Sequence, residues 1–232
     1  MLLLAEDIAE GDCESIDRGL IAQPVNAVTS LGFAVVGVWL MGRREGEPQR
    51  TRICRVALGT LLIVMAFGSV MYHGPQPSWA RFVHDLSNAA VAWALIGYDL
   101  GELRRMSLAS VATVVLSGIG VLGALFLAYP DASTRTTEVL VATLLVLEFL
   151  AHSRSDGFAA WRRDHSMRHL AAAVLAGVAV AAYLIGRTGS PLCRPDGLLQ
   201  PHGLWHLLTA VAIGLVADAA FASSKRAGVA AA

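Results

Sequence analysis

Lysine is almost missing from this chain: Lys225 is the single one among 18 basic residues. It lies beyond the last long apolar window, so no predicted membrane helix offers an amine for a retinal Schiff base. Charge is scarce as well. Asp, Glu, Lys and Arg make up 16% of 232 residues and cancel to a formal net charge of zero. A neutral chain lacks the basic field that draws nucleic acid. The apolar start from Met1 to Leu4 is short, and Glu6, Asp7 and Glu10 follow at once where a cleavable signal peptide needs basic residues first and a longer apolar run. No internal repeat and no low-complexity tract is present. The chain reads as one domain over 1–232.

What is present is apolar. Hydrophobic residues reach 55% and mean hydropathy is +0.57, values that do not suit a soluble domain. No charged residue occurs from Gly19 to Gly42, Val56 to Ala80, Met106 to Pro130, His169 to Gly186 or Gly197 to Ala217. A bilayer core needs about 20 apolar residues of helix. Two further runs admit acids: Phe82 to Leu100, with Asp85 and Asp99, and Thr136 to Leu150, with Glu138 and Glu148. The predicted fold is therefore all-α, a seven-transmembrane-helix bundle with helices at about 25–42, 54–73, 82–101, 107–129, 135–152, 168–187 and 202–222.

The connecting segments predict orientation. One side carries Arg43, Arg44, Arg50, Arg52, Arg55, Arg104, Arg105, Arg154, Arg162, Arg163, Arg168, Lys225 and Arg226. The other carries Arg18, Arg81, Arg135, Arg187 and Arg194. Thirteen against five puts the amino terminus outside and the carboxyl terminus inside. The bias towards arginine, with abundant Ala and Val, points to a GC-rich bacterial genome, hence a multi-pass protein of a bacterial cell membrane. Cys13 and Cys193 both fall outside, where a disulfide persists; two unpaired thiols are the alternative. A bridge closing so long a loop stabilises by on the order of 5 kcal/mol on the chain-entropy model. Cys54 falls inside and should stay a thiol.

Polar residues at the outer end form the candidate site. Helix 2 closes with Ser69 and His73, four apart and hence on one face. Helix 7 opens with His202 and His206, again four apart. Helix 3 opens with His84 and Asp85. Helix 2 runs outward while helices 3 and 7 run inward, so these ends share one membrane level. Three imidazoles leave one position of a tetrahedral zinc open, the arrangement of hydrolytic zinc sites. Asp85 is the candidate proton acceptor, because an acid within a membrane segment generally marks a function. Ser69 is the candidate oxyanion donor, unless its hydroxyl bonds its own helix. His84 points about 100° from Asp85 on a helix and reads as packing or support. His165 and His169 sit among arginines on the inner face and read as a solvated segment. Glu148, Asp99 and Asp218 read as structural polar contacts.

Together these residues resemble the alkaline ceramidase family, part of a superfamily of seven-helix membrane hydrolases that includes adiponectin-type receptors and lipid-anchor remodelling factors. Cys13-Glu14 with Ile21-Ala22-Gln23-Pro24-Val25-Asn26 looks like the family's amino-terminal segment. Ser69-x-x-x-His73 looks like its helix 2 motif, Asp85 like its helix 3 acid, and His202-x-x-x-His206 with Trp205 like its helix 7 motif. The resemblance implies zinc on His73, His202 and His206, with Asp85 and Ser69 assisting hydrolysis of a ceramide or related N-acyl lipid. It also implies the Cys13–Cys193 bridge. The animal enzymes carry calcium near the amino terminus. Here Glu14 fits that pattern, but Gln23 stands where a glutamate is expected and Ile16 where a polar ligand is expected; Asp12 and Asp17 are nearby oxygen donors. The segment from His73 to Asp85 is one residue longer than in the animal enzymes. A non-catalytic receptor or sensor, probed as a protein that binds metal without turnover, is the alternative on the same scaffold. A transporter is disfavoured because the histidines and the acid are confined to one end. The expected state is a monomer.

Overall fold

The computed structural model describes residues 8–42, 45–154 and 166–230, with side chains for all but 148–154, 166–169 and 222–230. The inner pair His165 and His169, Glu148, and the arginines at 43, 44, 154, 162, 163 and 168 therefore fall outside the described residues or side chains. Among the described residues there is no strand, and eight helices form the fold: α1 (Pro24–Thr29), α2 (Leu31–Met41), α3 (Gln49–His73), α4 (Ala80–Leu103), α5 (Leu108–Ala128), α6 (Ala132–Arg154), α7 (Ser166–Ile185) and α8 (Pro201–Ala230). They match the seven expected segments once α1 and α2 are taken as two parts of one.

Local chemistry sets these boundaries. Pro24 opens α1 at a position where its missing N–H costs nothing. The α1–α2 break falls at Ser30, where Thr29 Oγ1 donates to the carbonyls of Val25 and Asn26, and Ser30 Oγ donates to Asn26 O at 2.7 Å. Hydroxyls that bond the preceding turn bend helices, and a single straight helix over 25–42 does not form. Ser107 caps α5 by accepting from the backbone N–H of Ser110. α3 starts at Gln49 and α8 runs on to Ala230, both past the charge-free windows. Lys225 consequently belongs to the last helix, although it lies past the charge-free window that ends at Ala217.

The core lies between α2, α3, α4 and α8, and is filled by Phe33, Leu40, Leu62, Met65, Leu95 and Phe221. α7 packs along α8, while α5 and α6 flank α4. Among the described residues four helical spans are long and apolar enough to cross a membrane: Pro24–Met41 (α1 with α2), Gln49–His73, Leu108–Ala128 and Pro201–Phe221. Their outward faces are apolar too, with Val35, Leu116, Val121 and Leu127 each about 70% exposed. Soluble monomers rarely carry such continuous apolar faces.

Two clusters of polar residues lie at opposite ends of the antiparallel pair α3 and α8. At one end Arg55 meets Asp218; at the other His73 meets His202 and His206. Cys13 and Cys193 join in a disulfide at the histidine end, 180 residues apart in sequence. Cys54 is a free thiol.

Candidate metal centre

His73 is the last residue of α3, and His202 and His206 occupy the first turns of α8. The i, i+4 spacing puts the latter two on one face, with ring centroids 4.8 Å apart. The His73 ring lies 5.2 Å from that of His202 and 5.1 Å from that of His206. All three are buried, and one ring nitrogen from each lies within 4.8 Å of the other two. The three imidazoles read from the sequence are therefore brought together, and they could hold a metal ion.

The second nitrogen of each ring faces an oxygen. His73 Nδ1 is 2.7 Å from Gln23 Oε1. The Gln23 amide is oriented by its own bonds, since its Nε2 donates to the carbonyls of Ala9 at 3.1 Å and Glu14 at 2.8 Å. Its oxygen is left to accept from the imidazole. His206 Nδ1 lies 3.1 Å from Thr29 Oγ1 and 3.4 Å from Ser30 Oγ. Both hydroxyls already donate to helix carbonyls, so they too can accept. His202 Nδ1 lies 3.1 Å from Asp12 Oδ1, off the line of a straight hydrogen bond. Oxygen partners at Nδ1 place the proton there and leave the Nε2 lone pair for an ion, as in metal-binding histidines generally.

The Nε2 atoms of His73, His202 and His206 are buried and find no hydrogen-bond partner among the described residues. Three orphaned nitrogens at one point would be costly as a mere packing arrangement. A borderline-soft divalent ion such as zinc suits this donor set, because neutral imidazoles bind it well.

The remaining expected residues stand around this cluster. Asp85 Oδ1 is 2.8 Å from His84 Nδ1, and Ser133 donates to Asp85 Oδ2 at 2.6 Å, with Arg81 Nε at 3.8 Å. It is His84 that reaches the imidazoles: its ring stacks on Tyr72 at 4.4 Å and meets His73 edge-on at 6.1 Å. Gly68 permits this, because a Cβ there would lie 3.0 Å from the His84 backbone nitrogen. Ser69 is buried and does not bond its own helix; its hydroxyl pairs with Ser30 Oγ at 2.7 Å.

Glu14, expected near calcium, spends both carboxylate oxygens on the N-terminus of α1, accepting from Val25 N at 2.7 Å and Asn26 N at 2.8 Å. Burial pushes its carboxyl up, and those two N–H bonds oppose the shift. The three histidines are the one grouping of potential metal ligands among the described residues. Asp12, expected at most to help calcium, instead faces His202. Burial raises its carboxyl to about 6, with electrostatic interactions with nearby His84 and Arg187 opposing the shift.

Sequence reasoning missed the supporting oxygens of Asp12, Gln23, Thr29 and Ser30. In the sequence Asp12 and Gln23 stand out only against a calcium pattern, and the adjacent hydroxyls Thr29 and Ser30, unusual inside an apolar run, are the remaining signal. Comparison with known protein families and with curated proteins finds no match to this chain.

Proposed function

We propose that this protein is a seven-span membrane amidohydrolase of the alkaline ceramidase type, with zinc on His73, His202 and His206. The substrate is a ceramide or related N-acyl lipid, and the products are a fatty acid and a free amine. The amino terminus and the metal centre face the outside of a bacterial cell membrane, and the chain acts as a monomer. The observation that carries this reading is the set of three buried, orphaned Nε2 atoms, each backed by an oxygen at Nδ1.

Zinc bound there would supply a Lewis acid for the amide carbonyl and lower the pKa of bound water to about 7. The chain's own residues handle the proton. Asp85 holds His84 through Nδ1 at 2.8 Å, which leaves His84 Nε2 to accept a proton from water and return it to the departing amine. Ser69 can offer its hydroxyl to the developing oxyanion by giving up its bond to Ser30. Apolar outer faces on α2 and α5 suit acyl chains arriving from the lipid. The family resemblance supports the amide as the bond cleaved.

Release of fatty acid from labelled ceramide by purified protein in detergent tests the reading, with metal content measured on the same sample. Zinc near one per chain and chelator-sensitive release are expected. Bound zinc with no turnover of any acyl amide would favour the receptor alternative. No bound metal would remove both.

A further inference from the structure

Residues 9–23 form a strap across the histidine end of the bundle, and its fastenings are numerous. Besides the Cys13–Cys193 disulfide, Cys13 N donates to Gly186 O at 2.8 Å, Thr188 N to Gly11 O at 3.0 Å and Ser15 N to Pro195 O at 3.0 Å. Asp12 pairs with Arg187 as an isolated antiparallel bridge. Gly186, on the other side of this pairing, touches the metal centre directly: a Cβ there would meet the backbone nitrogen of His202 at 2.6 Å.

The three candidate ligands differ in how they are supported. His206 leans on hydroxyls of the α1–α2 break. His73 leans on Gln23, whose backbone N–H also binds His73 O at 2.7 Å. His202 has neither; the group at its Nδ1 is the buried carboxylate of Asp12, held on the strap. An acceptor beside the outer nitrogen keeps a ligating imidazole in the right tautomer and orientation, and a negative one makes it a stronger ligand.

We infer that Asp12, presented by the disulfide-fastened strap, is a positioning residue for the metal centre, orienting His202 and strengthening its Nε2 as a ligand. The inference rests on the reading that the three imidazoles hold zinc. It makes the amino-terminal segment a working part of the site, and it gives the disulfide a purpose besides stability: the bond fixes where Asp12 sits.

The test measures zinc affinity of the full-length protein in detergent, by competition with a chromophoric chelator, and records the visible absorption spectrum of the Co²⁺-substituted protein. Asp12→Ala is expected to weaken zinc binding about 10–100-fold, the usual effect of removing such a partner, and to shift the Co²⁺ bands. Asp12→Asn, which keeps an oxygen without the charge, should fall between. Cys13→Ser with Cys193→Ser should weaken binding similarly, and adding Asp12→Ala to that pair should cost little more, because both act on one ring. Ser15→Ala, which removes only an exposed bond to Asp196, should leave affinity unchanged. Wild-type affinity and spectrum in Asp12→Ala would overturn the inference and leave the zinc reading standing. Failure of the wild-type protein to bind zinc would overturn both.

Discussion

The two ends of the α3–α8 pair both bury polar groups in an apolar bundle, yet they are built on opposite principles. At the arginine end, Arg55 is wholly buried and fully paired. Its Nε reaches Glu47 at 2.8 Å, its Nη1 reaches Asp218 at 3.4 Å, and its guanidinium lies over the Phe221 ring at 4.9 Å. At the histidine end, three Nε2 atoms face one another with no partner of their own. Burial of polar residues alone therefore says little about function. A satisfied cluster ties helices together, whereas one whose atoms are oriented but unanswered is prepared for something from outside the chain.

The sharpest break of this contrast is at the histidine end. His206→Ala removes one of the three candidate ligands and, on the proposed function, is expected to abolish stoichiometric zinc and bring ceramide hydrolysis to background, read by elemental analysis and fatty-acid release. The protein should still fold, because the site is not what holds the bundle. Arg55→Ala should do the reverse. It leaves Glu47 and Asp218 buried without their cation, a loss of about 3–5 kcal/mol of stability. Denaturant unfolding should report that loss, and zinc affinity should stay at the wild-type value. If Arg55→Ala also released zinc, the two ends would be coupled and the distinction between them wrong.

This difference also marks what could be read in advance. The meeting of His73 with His202 and His206 was legible, because alternating helix direction puts the end of one segment level with the start of another. The same placement put Cys13 and Cys193 on one side and left open whether they pair; the resemblance implied the bridge, and the structure forms it. Helix limits were less legible: charge-free windows measure what lipid tolerates, and α3 continues back to Gln49 through a turn that carries Arg50, paired with Glu102 at 3.0 Å, and Arg52. The break at Ser30 depends on hydroxyls choosing carbonyls one turn back. Which of His84 and Asp85 faces the histidines depends on the rotation of α4 about its axis. Close contact of Gly68 with the backbone at His84 sets that rotation, a tertiary fact invisible to spacing. The oxygens at the Nδ1 atoms come from the strap and from the end of α1, where no apolar period singles them out.

The rotation of α4 yields a finer prediction. If Asp85 works through His84, His84→Ala and Asp85→Asn should both slow turnover, within the range of about 10²–10⁴-fold for loss of a general acid–base group, with zinc content unchanged. His84→Ala should carry the larger loss, and Asp85→Asn the smaller, because asparagine can still hold the ring while losing the charge that favours its protonated form. The double variant should be little worse than His84→Ala alone. Additive losses would mean that Asp85 reaches the substrate independently of His84.

The smallest expected effect belongs to Ser69. Ser30 already gives its proton to Asn26 O, so the 2.7 Å contact between the two hydroxyls is best satisfied with Ser69 as donor. Using Ser69 to stabilise an oxyanion requires breaking that bond, a net cost of about 0.5–1.5 kcal/mol that offsets part of the gain. Ser69→Ala should therefore lower kcat by about 10-fold or less, well short of the 10²–10³ that a preorganised oxyanion donor commands. KM and zinc content should stay constant. Ser69→Thr, which keeps the hydroxyl, should restore most of the rate if its methyl fits beside Ser30. A loss near 10³-fold in Ser69→Ala would show that Ser69 turns to the substrate at no cost, and the Ser30 bond would then be a resting position rather than a constraint.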